Sequence, residues 1–255
     1  MRGRKLGATV QPIRSELENG GMDRRKRAGV QALAEEIIER VRGLEDARTA
    51  NVRAVRREFS KRLKNAAPHV VVELAYLLLQ EQKFVFRFVA YELLHCHPAA
   101  FSQLRAWDLE RFSFGLDRWE AVDTFALYLA GPLWRDRRIA DELVHNWARS
   151  KDHWWRRVAL VCTVPLNNKT RGGQGDPSRT LKVCHLLARD RDPMVVKAFS
   201  WALSELSKRD PKTVRAFLDA NKQSLAPRAV RDVRNKLRTG LTTPRLRKGA
   251  RRSTR

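Results

Sequence analysis

The stretch VQALAEEIIERV, residues 30–41, decides the fold class of this chain. Val30, Leu33, Ala34, Ile37, Ile38 and Val41 recur at the i, i+3, i+4 spacing that gathers them on one face of a helix. Gly43 then stops the run. After Pro68 the same stripe returns as Val71, Val72, Leu74, Ala75, Leu78 and Leu79. Further helical segments are expected at 51–64, 83–95, 98–109, 117–129, 135–149, 154–165, 177–189, 193–209, 211–221 and 227–238. Proline sits near the start of several, where its missing N–H costs little. No segment sustains the alternation of a strand. Helix pairs of about 30 to 40 residues joined by short turns predict an all-α chain, an α-solenoid of HEAT-like repeats with a concave basic face. An irregular helical bundle is the alternative.

Charge sets the class of partner. The chain has 255 residues, with 52 Lys and Arg against 28 Asp and Glu, a formal net charge of +24. Residues 222–255 carry 12 basic side chains and the single acid Asp232, yet the larger part of the excess lies in the body. Both the body and the tail therefore favour a polyanion. Residues 1–28, with the RRKR run at 24–27, read as a flexible basic arm. The solenoid is expected over 29–239, and 240–255 as a disordered basic tail that adds phosphate contacts without sequence information. Cys96, Cys162 and Cys184 are odd in number and form no CxxC pair, so neither a disulfide framework nor a zinc module is expected. No apolar run is long enough to span a membrane, and the first residues lack a signal-peptide core. A reducing cytoplasm is the expected compartment.

Five constellations could carry chemistry. In WEAVD, Trp119 and Asp123 fall one turn apart on one helix face, with Glu120 beside them. By spacing alone, a core Trp with a solvent Asp is the favoured reading. In HWWRR, Trp154, Trp155, Arg156 and Arg157 offer indole and guanidinium groups suited to stacking and phosphate clamping. An ordinary amphipathic helix with one of the two Trp packed explains them equally well. In KAFSWALSELSK, Lys197, Trp201 and Lys208 share one side of a helix, which a core Trp flanked by surface lysines also explains. The glycine-rich RGGQGDP, 171–177, lacks the GK[ST] of a phosphate loop and reads as a flexible connection. His95-Cys96-His97 reads as a helix terminus, because consecutive side chains cannot converge on one metal.

In their order, WEAVD (119–123), WWRRVA (154–159) and KAFSWAL (197–203) resemble the recurrent segments of the AlkD-type family of DNA alkylation repair glycosylases. NVRAVRREF (51–59) is similar to the helix that precedes that family's repeats, and the resemblance covers about 51–238. It implies a HEAT-like solenoid that wraps duplex DNA and excises cationic N3- or N7-alkylated purines without metal or cofactor. It further implies a monomer, cytoplasmic and associated with a bacterial nucleoid. By position it implies Asp123, Trp119 and Trp201 in the catalytic pocket. Arg157 matches a DNA-contacting Arg, and Arg156, Trp154, Lys197 and Lys208 are candidate DNA contacts around it. One position departs: Ser204 stands where the family often has Arg, which is expected to remove a cation from the DNA-contacting surface. A DNA-binding solenoid without catalysis is the alternative function, and a HEAT scaffold for protein interaction the third.

Overall fold

In a computed structural model, residues 24–240 are described, and all their regular structure is helical. The helices are α1 (Arg24–Arg42), α2 (Thr49–Arg62), α3 (Pro68–Leu79), α4 (Phe84–His95), α5 (Pro98–Phe101), α6 (Ala106–Phe112) and α7 (Trp119–Phe125). A π-helical turn (Ala126–Ala130) leads into α8 (Gly131–Arg135). Then come α9 (Asp141–Ala148), α10 (His153–Val161), α11 (Val164–Asn167), α12 (Pro177–Leu186), α13 (Pro193–Leu206), α14 (Pro211–Ala220) and α15 (Pro227–Thr239). A single 3-10 turn, Lys169–Arg171, lies between α11 and α12.

The arrangement is an α-solenoid. One row runs α2, α4, α7, α10, α13, α15, each helix packed on the next. In the second row α1 packs on α3, α3 on α5, and α9 on α12. Pairs such as α3 with α4 and α9 with α10 join the rows. Each repeat buries its apolar stripe on its neighbours, so one continuous core runs from Val30 in α1 to Val233 in α15. The stripes expected in α1 and α3 are the buried ones: Ala34, Ile37 and Val41 in the first, Val71, Leu74 and Leu78 in the second.

Caps place the helix starts. Asp176, Asp192 and Asp210 each stand before a proline and accept backbone N–H groups of the first turn. Aspartate satisfies orphan donors there, and proline at the first position loses nothing. The HCH run is a double terminus: α4 ends at His95, and His97 caps α5 by accepting the Ala100 N–H at 3.0 Å.

Several boundaries differ from expectation. The RRKR run at 24–27 is the first turn of α1, not part of an arm; residues 1–23 and 241–255, where the arm and tail are expected, lie outside the described residues. The segment expected at 98–109 is two short helices: α5 ends at Phe101, and α6 opens after Arg105, whose backbone N–H donates to Asp108 Oδ2 at 2.8 Å. The glycine loop is not slack. A Cβ on Gly173 would lie 2.5 Å from the Pro165 carbonyl oxygen, and Arg209 donates to the Asn167 and Gly173 carbonyls.

The π-helical turn after α7 has a local cause. Pro132 has no N–H to continue the ladder, and the Gly131 N–H reaches back five residues to Ala126. Gly131 also lets α11 pack close, since a Cβ there would meet Ala126 O at 2.6 Å, Pro165 Cγ at 2.8 Å and Cys162 O at 3.1 Å. Gly131→Ala is therefore expected to cost about 1–3 kcal/mol in urea unfolding, by overpacking. Gly29→Ala in α1, with nothing within 4 Å, is expected to gain about 0.5–1 kcal/mol. Equal stability of Gly131→Ala and the parent would remove this account of the close packing at Gly131.

Candidate functional site

Three consecutive helices of the first row supply the site. Trp119 is the first residue of α7 and leaves 48% of its surface exposed. Asp123, one turn later, is buried. Arg157 comes from α10, which packs on α7, and Lys197 and Trp201 come from α13, which packs on α10.

The centre is a two-bond ion pair. Arg157 Nε donates to Asp123 Oδ1 at 2.8 Å and its Nη2 to Oδ2 at 2.7 Å. The third arm of the fork, Nη1, donates to the Met194 carbonyl at 2.5 Å and so ties α13 to the pair. The Arg157 side chain is 4% exposed and that of Asp123 12%. Each carboxylate oxygen spends one lone pair on Arg157 and keeps another. Burial pushes the Asp123 carboxyl above the usual carboxylate range, against the pull of Arg157 and then of Lys197, with Glu120 adding a further push upward.

Lys197 bridges the row. It is exposed on α13, and its Nζ lies 5.9 Å from the Trp119 ring centroid. Lys197 of α13 thus meets the indole of Trp119 from α7 and also pulls on the charge of Asp123, one turn after Trp119. Trp201 follows Lys197 by one turn and is half-buried against the core.

Three expectations change. Arg157 is not placed to contact a phosphate, because its fork is spent on Asp123 and Met194 inside the fold. Arg156 is also turned inward: its Nε donates to Asp190 at 2.6 Å and its Nη1 to the Ser150 and Lys151 carbonyls, closing the corner between α9 and α10. Ser204 likewise lies away from any DNA-facing surface, at 3% exposure and with its Oγ unpartnered.

The remaining candidates keep some access. Trp154 is half-buried with its ring 4.3 Å from that of His153. Trp155 is half-buried as well, stacked on Trp147 at 5.3 Å and edge-on to Phe125, and both indoles pack against the core. Lys208 stands beyond the end of α13 with its side chain 50% exposed and donates to Glu205 at 2.7 Å. Among the described residues no group of His, Cys, Asp or Glu is placed to hold a metal, and no helix is long and apolar enough to cross a membrane.

The sequence named Asp123 and Arg157 but not their bond, which joins residues 34 apart on two helices. The Met194 carbonyl was missed for another reason: a backbone oxygen leaves no mark in side-chain patterns.

A family model described as DNA alkylation repair enzyme matches residues 15–237. No curated protein matches the chain.

Arg157→Met should lower stability by about 3–5 kcal/mol, because it leaves Asp123 buried without its partner. Asp123→Leu combined with Arg157→Met should recover much of that loss in a double-mutant cycle read by urea unfolding. Additive losses would show that the two side chains act independently.

Proposed function

The chain belongs to the DNA alkylation repair enzyme family, and from that premise we propose that it is a DNA glycosylase acting on cationic N3- or N7-alkylated purines in duplex DNA. The observation that carries this reading is a carboxylate, Asp123, buried and aimed by Arg157 beside the exposed face of Trp119. The net charge of +24 supplies the affinity for a polyanion.

The chemistry asks little of a general acid. Alkylation at N3 or N7 already makes the purine a cation, so it departs with the electron pair of the C1′–N9 bond and becomes neutral. The deoxyribose left behind takes on oxocarbenium character. A fixed carboxylate stabilises that charge more than it stabilises the ground state. Asp123 then accepts a proton from the water whose oxygen attacks C1′, and passes it to solvent. Its raised proton affinity makes it a better base than an exposed aspartate.

The neighbours divide the remaining work. The Trp119 face, and that of Trp201 one turn beyond Lys197, wall the sugar and attract its cation, by about 1–2 kcal/mol per indole when desolvated. Lys197 meets a flanking phosphate, with Lys208 and Trp154 as further contacts along the row. Arg157 acts through Asp123: it holds the carboxylate ionised and oriented. No metal or cofactor enters the scheme, and the substrate places the protein on chromosomal DNA in the cytoplasm.

Asp123→Asn keeps the size of the side chain but loses the charge and one of the two hydrogen bonds from Arg157, because an amide nitrogen cannot accept. It is expected to cut release of 7-methylguanine from methylated duplex DNA by tenfold or more, with the Kd for the duplex nearly unchanged. Absence of release by the wild-type protein, or full activity of the variant, would leave the Asp123–Arg157 pair as a brace in a non-catalytic DNA-binding solenoid.

A further inference from the structure

One helix back along the same row, cations collect around Tyr128. Glu92 of α4 is 3% exposed at its side chain and accepts Arg53 Nε at 2.8 Å and Arg56 Nε at 3.1 Å, both from α2. Arg53 continues outward: its Nη2 donates to the Tyr128 hydroxyl at 2.8 Å, and its guanidinium lies 5.3 Å from the Phe88 ring. From the 3-10 turn, Arg171 places its guanidinium 4.9 Å from the centre of the Tyr128 ring and reaches the Leu127 carbonyl at 3.4 Å.

The cluster carries more positive charge than the fold requires. Two guanidiniums share one carboxylate, and Arg171 pairs with no carboxylate among the described residues. Arg53 keeps its Nη1 unbonded and its side chain 38% exposed. Lys169 and Thr170, beside Arg171, are exposed. The field is felt nearby: His95, whose ring meets Tyr128 edge-on at 5.4 Å, is pushed toward its neutral form by burial and then by Arg171 and Arg135. A brace between α2 and α4 would need only one guanidinium for Glu92. Gathering unneutralised cations in a protein already at +24 costs self-repulsion, which an anion relieves.

We propose that Arg53, Tyr128 and Arg171 form a clamp for one DNA phosphodiester, held in shape by buried Glu92 and Arg56. The inference rests on the reading of the chain as a duplex-DNA enzyme and gives that site a second anchor. Guanidinium forks suit phosphate oxygens, and a carboxylate that fixes one edge of the fork leaves the other edge aimed. The location fits. Tyr128 follows Asp123 by five residues through the π-helical turn, roughly 7 Å along the axis. The clamp thus grips the backbone near the sugar that Asp123 faces and sets which nucleotide lies over Trp119.

The test uses the full chain and an unmodified duplex oligonucleotide, with binding read by fluorescence anisotropy across a NaCl titration. Arg53→Gln with Arg171→Gln is expected to weaken the Kd about tenfold near physiological salt, and to reduce the slope of log K against log salt by about one, the contribution of one phosphate. Arg40→Gln with Arg42→Gln on α1, an equal loss of charge in the other row, is expected to change the Kd less than twofold. Should the clamp pair lose helicity by circular dichroism, Arg171→Gln alone gives the same readout, since it removes only a ring contact and a long hydrogen bond. Inorganic phosphate added at constant ionic strength is expected to leave duplex binding unchanged. A wild-type slope in the clamp variant, or a loss equal to that of the α1 pair, overturns the proposal. So does inorganic phosphate that displaces the duplex from the wild type but not from the variant, which assigns the site to free phosphate. The duplex carries no lesion, so failure of base release at Asp123 and failure of the clamp are read separately.

Discussion

The bidentate contact between Asp123 and Arg157 is the constraint on which the site depends. It joins α7 to α10, and through the Met194 carbonyl it joins α10 to α13. Three successive helices of the row are thus held by one guanidinium. The pair is costly to bury, and such pairs often add no net stability over an apolar contact of the same shape. Its yield is geometric: a carboxylate with fixed direction, its outer lone pairs still available, at the foot of an exposed indole. Lys197 can then serve at the surface as a free cation, because the internal charge is already balanced.

The same device recurs along the solenoid. Glu92 holds Arg53 and Arg56, Asp190 holds Arg156, and Asp176 holds Arg179. Glu205, also buried, takes Lys208 on one oxygen and Asn168 on the other. Each of these carboxylates fixes a cation, and where the cation reaches the surface the fixing aims it. A chain with nearly two basic residues for every acid can so brace its repeats and still present an excess of positive charge. The distinction that matters for function is which cations are used up inside. Arg156, Arg157 and Arg179 are; Lys197, Arg53 and Arg171 keep access to solvent or carry no carboxylate partner.

Much of this was legible in the sequence. Periodic stripes such as that of 30–41 depend only on local spacing, and burial follows them. Proline near a helix start is legible for an equally local reason, and Pro177, Pro193 and Pro211 stand there; the aspartates that cap them are seen in the structure. Trp119, Asp123, Lys197 and Trp201 were found because each pair lies one turn apart on its own helix. What did not read through is the pairing between helices. Arg157 looked like a phosphate contact because guanidinium chemistry is the same for a carboxylate and a phosphate, and only the packing of α7 on α10 decides which one it meets. The Tyr128 cluster was missed on similar grounds, since its members lie on α2, α4, the π-helical turn and the 3-10 turn. One hint was available: Glu92 is the only acid in FVFRFVAYELLH, an otherwise apolar stretch except for Arg87 and His95. Ser204 misled in the opposite direction, because a residue-for-residue comparison does not reveal which face of α13 a position occupies.

The central claim is that base release runs through the ionised form of Asp123. Its most direct test is the pH dependence of single-turnover release of 7-methylguanine, corrected for spontaneous loss. The account predicts one acid limb for the wild-type protein, with the rate falling as pH drops through an ionisation above the 3.8 of an ordinary aspartate, since burial raises this carboxyl. In Asp123→Asn the limb should vanish along with most of the rate. A flat wild-type profile from the acid range to neutrality, or an acid limb that persists in the variant, would contradict it.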